Sequence, residues 1–190
     1  MHAHRLVPHA DTPSTAIVRI DVELVRARRG ARISYRLSGS AARVKTHADA
    51  LARPLRRDGL WRSTCCEVYV RETDGAAYCE YNFAPSGDWA AYRFSGYRSG
   101  GEALETGAPQ ITLERSSESL VLHASLHDGP LVAAAPEQRI ALACVVETGD
   151  ERSYWALAHP PGRPDFHHPR GFAAAVGDAE PGASADERKT

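Results

Sequence analysis

The sequence predicts an antiparallel, all-β sandwich of the jelly-roll or immunoglobulin-like kind. Three observations carry that expectation. Polar and apolar residues alternate with period two in nine short segments, the signature of strands with one buried and one solvated face. Gly, Pro, Asp and Ser fill the gaps between them, as turns require. Two tight turns then place the middle segments in a register that lines up their apolar residues.

The segments run in order from residue 17. Residues 17–25 alternate Arg19, Asp21 and Glu23 with apolar neighbours, and residues 32–37 set Ile33, Tyr35 and Leu37 on one side. A helical turn is expected over 46–55, inside a long connection. Further strands are expected at 65–72, 77–84, 89–97, 110–114, 120–127, 139–147 and 153–158. Residues 1–176 are read as a single domain. The Gly-, Ala- and charge-rich stretch 177–190 is expected to be a disordered tail.

The central meander can be read residue by residue. Thr73-Asp74-Gly75-Ala76 is an Asp-Gly hairpin signal. It sets Cys66 opposite Phe83, Val68 opposite Tyr81 and Val70 opposite Cys79. If Pro85-Ser86-Gly87-Asp88 forms the next turn, Phe83 faces Ala90, Tyr81 faces Tyr92 and Cys79 faces Phe94. The other face then gathers Glu67, Asn82 and Ala91, next to Tyr69, Glu80 and Arg93, with Arg71 beside Tyr78 and Trp89 at its end. Carboxylates, an amide, a guanidinium and aromatic rings on one face suit a hydroxyl-rich small ligand. An ordinary polar face held by cross-strand pairs such as Glu80 with Arg93 is the plainer alternative.

Composition narrows the function classes. A formal net charge of −1 gives no general attraction to nucleic acid or to an anionic membrane. The Arg-rich stretches near residues 26–32 and 53–57 flank turn residues without interleaved aromatics and read as solvated loops. No run approaches the length of a membrane helix. Residues 1–10 lack the apolar core of a signal peptide. Cys65, Cys66, Cys79 and Cys144 form no Cys-x-x-Cys motif, and reduced, buried thiols in a cytoplasmic protein are expected.

Leu60-Trp61-Arg62-Ser63-Thr64-Cys65-Cys66-Glu67-Val68-Tyr69-Val70 resembles the Trp-x5-Glu-hydrophobic strand of family 9 carbohydrate-binding modules, members of the wider DOMON-like group of sandwiches. Residues 78–89 look like that family's Phe-x-Asn-x-x-Gly hairpin. Trp155, followed by Pro164-Asp165-Phe166-His167-His168-Pro169, looks like its closing Trp and Phe-His-x-Pro segment. The match covers about 60–97 and 154–176, and the chain as a whole resembles bacterial DOMON-like proteins of this length. In sugar-binding members two Trp rings clamp a terminal sugar while Glu, Arg and amide groups bind its hydroxyls. The resemblance therefore implies Trp61 and Trp155 as walls, Glu67 as the acidic group, and Asn82 and Arg93 as hydrogen-bonders. Tyr69, Glu80, Trp89, His159, His167 and His168 are secondary candidates. The chain departs from the family at Thr64 and Cys65, where acidic residues commonly precede the Glu. That departure weakens the implication of sugar binding and of an associated calcium site.

Other chemistry has less support. His159, His167 and His168 lie in one Pro-rich loop, but adjacent histidines converge on a metal only from a turn, and no metal site is assigned. Met1 is the sole methionine, which leaves haem only a bis-His arrangement, for instance through His123 or His127. No cofactor is assigned, with haem and calcium left open. No Gly-x-Ser-x-Gly elbow or recognisable triad is present. Glu67 and Glu80 share a face as glycosidase carboxylates would, but an Arg93 opposite Glu80 would lower that acid's pKa. The expectation is a non-catalytic binder of a small molecule, a saccharide or related metabolite. A hydrolase or metal-dependent enzyme using the same pocket, and a protein-interaction module, are the alternatives. Ligand identity and oligomeric state are not legible.

Overall fold

The computed structural model describes residues 2–27, 30–47, 54–72, 75–132 and 138–176. Its strands are β1 (His2–Pro8), β2 (Ile17–Ala27), β3 (Gly30–Gly39), β4 (Cys65–Glu72), β5 (Tyr78–Phe83), β6 (Trp89–Gly96), β7 (Ser99–Ala103), β8 (Gln110–Arg115), β9 (Ser119–Leu126), β10 (Gln138–Thr148), β11 (Glu151–Ala156) and β12 (Ala174–Val176). All paired strands are antiparallel, in the order β7-β6-β5-β4-β10-β11-β1-β2-β3-β9-β8, with β12 added to β10. The expected β-sandwich is the observed fold.

β1 joins the two layers. Residues 2–6 pair with β2, while Val7 and Pro8 pair with Ala156 and Trp155 of β11. One strand thus leaves one sheet and enters the other, as sandwich corners allow. The core fills the space between the layers. Ile20, Val22, Leu24, Ile33, Tyr35, Leu37 and Leu122 come from one sheet, and Val68, Tyr81, Phe83, Leu142, Cys144 and Trp155 from the other. The alternation in β2 and β3 is the direct cause, because every second side chain points inward. Tyr35 crosses the core and donates its hydroxyl to the Glu67 carbonyl at 2.6 Å, which satisfies a polar group that burial would otherwise penalise. All four cysteines are buried and free, and Cys66 and Cys144 sit opposite each other with their sulfurs 3.8 Å apart.

The nine expected strands are present with shifted ends, and β1, β7 and β12 are additional. β7 reads Ser-Gly-Gly-Glu-Ala, a composition poor in strand formers, and forms only because β6 supplies its partner. The helical turn expected over 46–55, the Thr73 and Asp74 positions of the first hairpin and the expected tail 177–190 fall wholly or mainly outside the described residues.

The first hairpin has the expected register, with Cys66 opposite Phe83 and Val70 opposite Cys79. The second is slipped by one residue. Phe83 faces Trp89, Tyr81 faces Ala91, Glu80 faces Tyr92 and Tyr78 faces Phe94. The turn is shorter than expected. Gly87 donates to the Ala84 carbonyl at 2.9 Å, and Ala84 donates to the Asp88 carbonyl at 2.9 Å. Pro85-Ser86-Gly87 is therefore a three-residue loop closed by a glycine at φ +90°, the type I turn with a left-handed third residue that such hairpins favour. Asp88 belongs to the strand side. A slip of one residue turns every β6 side chain over: Trp89 and Ala91 enter the core, and Tyr92 and Phe94 move to the outer face.

Candidate ligand-binding site

The outer face of the second sheet carries a cleft of about 460 Å³, within the usual range for small-molecule sites. Its floor follows from the register. One row across the strands reads Ala156, Ala143, Glu67, Asn82, Ala90, and the next reads Ala141, Tyr69, Glu80, Tyr92. Alanines beside Glu67 leave space above the sheet that larger side chains would fill. Glu67 and Glu80 are diagonal neighbours on adjacent strands, close enough for long side chains to interact.

Both carboxylates are buried. Glu67 is 1% exposed and Glu80 4%. Tyr69 donates its hydroxyl to Glu67 Oε2 at 2.5 Å, and Asn82 donates its amide to Glu80 Oε1 at 2.7 Å. Among the described residues Glu67 Oε1, which is buried, has no hydrogen-bond partner. Burial pushes the Glu67 carboxyl up to about 8, with the Glu80 charge adding to the rise and the Tyr69 hydrogen bond opposing it. Burial likewise raises Glu80 to about 7, against the Asn82 hydrogen bond and the Arg98 charge. These are two like charges in a low-dielectric floor, the arrangement that keeps carboxyls protonated near neutrality.

The walls come from flanking loops. Trp61, in a single 3-10 turn (Leu60–Arg62) before β4, is 42% exposed and meets Tyr92 edge to face at 6.1 Å. The opposite wall is the 164–168 loop. Asp165 anchors it by accepting from the Tyr97 hydroxyl, from Arg98 at 2.8 Å and from the His167 amide at 3.1 Å. That anchor brings Phe166 and His167 to the cleft. His167 Nδ1 lies 2.8 Å from the Tyr78 hydroxyl and Nε2 lies 3.8 Å from Glu80 Oε2. Burial, followed by the Arg98 charge, lowers the His167 pKa to about 4, so the ring is neutral at physiological pH and offers Glu80 no full charge. Arg62, Arg98 and Arg152 stand around the cleft.

The structure gathers some sequence-selected residues and disperses others. Trp61, Glu67, Tyr69, Glu80 and His167 line the cleft. Asn82 shares the outer face but is fully buried; it binds Glu80 and accepts from the Cys65 thiol at 3.6 Å, so it positions a carboxylate rather than meeting the cleft. Trp155 is not a wall. It is 2% exposed within the core, its indole donating to Ser153 Oγ at 3.0 Å. Trp89 is likewise a core residue, with Arg56 over its ring at 5.0 Å. Arg93 is not beside Glu80. The register slip puts it on the other face of β6, exposed, opposite Cys79 and Glu102. His159 donates to the Val7 carbonyl at 3.0 Å, and His168 accepts from the Arg170 amide at 3.2 Å; both hold loops. Among the described residues no group of three His, Cys, Asp or Glu side chains could hold a metal ion. Tyr92, Phe94, Tyr154 and Phe166 line the cleft without having been selected. The first two follow from the turn at 85–87, read as a three-residue loop.

No family model matches the chain, and no curated protein matches it. Solved structures do. A Bacteroides uniformis protein proposed to be carbohydrate-binding aligns with 90% of this chain and 84% of its own, at TM-score 0.68 and 12% identity. A family 9 carbohydrate-binding module from Caldicellulosiruptor kristjanssonii, solved with cellotriose, aligns with 85% of this chain and 74% of its own, at TM-score 0.51 and 7% identity. The fold is of the family 9 kind. At such identities the likeness describes the backbone, and function has to be argued from the cleft itself.

Proposed function

We propose that this protein is a non-catalytic, saccharide-binding member of the DOMON-like sandwiches. One observation carries the reading: a half-exposed indole, Trp61, stands over a floor whose polar groups, Glu67 and Glu80, face a cleft rather than a core. Sugar rings present C–H faces that stack on aromatic rings and hydroxyls that bond to carboxylates. The likeness of fold to a module solved with cellotriose supports it. The 60–70 motif, whose Trp and Glu both line the cleft, supports it further.

The test is Trp fluorescence during titration with mono- and disaccharides. Trp89 and Trp155 are nearly buried, so a saturable change reports on Trp61. The expected result is a response that Trp61→Phe abolishes while the fold is kept. A folded protein that answers none of the sugars would sink the reading.

A second reading has its own observation. The expected depression of Glu80 by Arg93 does not occur, and both carboxyls are raised, the direction a general acid needs. A glycoside hydrolase using Glu67 and Glu80 would release the chromophore from aryl glycosides, and Glu67→Gln and Glu80→Gln would each remove that activity. Saccharide binding without turnover leaves the first reading standing.

A further inference from the structure

We propose that the saccharide bound in this cleft carries a cationic amine, and that its ammonium group seats between Glu67 and Glu80. The inference rests on the saccharide reading and names the ligand class within it.

Arg62, Arg98 and Arg152 line the cleft, yet among the described residues no arginine or lysine pairs with either floor carboxyl. Among the described residues the basic group within 4 Å of Glu80 is His167, at 3.8 Å, whose pKa burial lowers. Arg98, the closest guanidinium in electrostatic effect, is bonded to Asp165. Glu67 Oε1 is a buried acceptor with no donor among the described residues, on a side chain 1% exposed that lines the cleft. A buried oxygen of this kind costs free energy until a donor arrives. A neutral hydroxyl would supply one hydrogen bond and do nothing to favour ionisation of the pair. An ammonium would supply three donors and a positive charge that favours the ionised form of the pair. Trp61, Tyr69 and Tyr92 line the same cleft, and aromatic rings attract cations as well as sugar C–H groups. Burial favours the protonated form of this pair, so an ammonium seated there displaces protons.

The test is calorimetric titration of the intact chain at about pH 7.5 with glucose, glucosamine, 6-amino-6-deoxyglucose and ethanolamine, in buffers of different ionisation enthalpy. The expected result is that an amino sugar binds about ten-fold or more tightly than glucose, with net proton release to the buffer. Glu67→Gln and Glu80→Gln, each close in shape to the parent side chain, should each reduce that preference. Glucose binding as tightly as both amino sugars would overturn the amine inference and leave saccharide binding intact. Ethanolamine binding as tightly as the amino sugars would uphold the cation seat and overturn the saccharide reading. Absence of binding by all four overturns both. A preference without proton release, or one unchanged in both variants, places the ammonium elsewhere and overturns the assignment to this pair.

Discussion

Trp61 and Trp155 carry the same indole in opposite surroundings, and that difference is measurable. Trp155 is 2% exposed in the core and Trp61 42% exposed over the cleft. Trp155→Ala removes a large buried ring and should cost about 3–5 kcal/mol of stability. Trp61→Ala removes a ring already half in water and should cost about 1 kcal/mol or less, while abolishing the fluorescence response to ligand. Urea unfolding of both variants checks the contrast, and equal losses would contradict the placement of the two rings. Tyr35 supplies another residue-level case. Its hydroxyl is the donor that crosses the core to the Glu67 carbonyl. Tyr35→Phe should therefore destabilise by about 1 kcal/mol, read in the same experiment.

Among the elements, the 164–168 loop has the clearest cause. Nothing in its own sequence makes it regular. Tyr97, Arg98 and the His167 amide hold it by converging on the Asp165 carboxylate, and those bonds keep the Asp165 pKa below its usual value. Asp165→Ala should release the loop. Amide exchange in 164–168 should rise and ligand affinity should fall about five- to ten-fold. The melting temperature should change little, because the loop lies outside the sandwich core. Unchanged exchange would show that apolar contacts of Phe166 and His167 hold the loop without the clamp. The β5–β6 hairpin shows how far the sequence could be read. Period-two alternation identified both strands, and the first hairpin's register followed from its turn. The second failed because Pro85-Ser86-Gly87-Asp88 supports either a four-residue turn or a three-residue loop with Gly87 left-handed, and each choice brings aromatic surface of β6 inward, Tyr92 and Phe94 in the first and Trp89 in the second. The slip moved Arg93 away from Glu80 and brought in Tyr92. Glu67 and Glu80 were legible because the first hairpin alone fixes their face. The fate of Trp155 was not, since alternation along β11 cannot say which of its faces meets the other sheet.

For the whole molecule, the cleft sets how stability depends on pH. Unfolded carboxyls titrate near 4.5, whereas Glu67 and Glu80 are held at about 8 and about 7. Between those limits the unfolded chain binds fewer protons than the folded one, so stability falls as pH rises. His167 acts in the opposite direction. Its folded pKa of about 4 lies below the ordinary 6.5, so the unfolded ring takes a proton that the folded ring refuses, and stability falls as pH drops from 6.5 toward 4. Asp21, Asp165 and Glu147, all held below their usual values by basic or hydroxyl partners, add to the acid-side loss. Above about pH 4.5 the two carboxyls outweigh the single imidazole, so maximal stability is expected at about pH 4–5 rather than in the neutral or alkaline range. From there to about pH 8.5 the melting temperature should drop by on the order of 5 °C. Glu67→Gln, which cannot ionise, should flatten that alkaline limb and leave the acid limb in place. A wild-type melting temperature that holds or rises over the alkaline limb would mean that the two carboxylates ionise freely in the folded protein. The uncompensated floor on which the amine inference depends would then be absent. A bound ammonium, by taking the place of the floor's protons, should restore most of the alkaline loss, linking the fold's pH profile to the occupancy of its cleft.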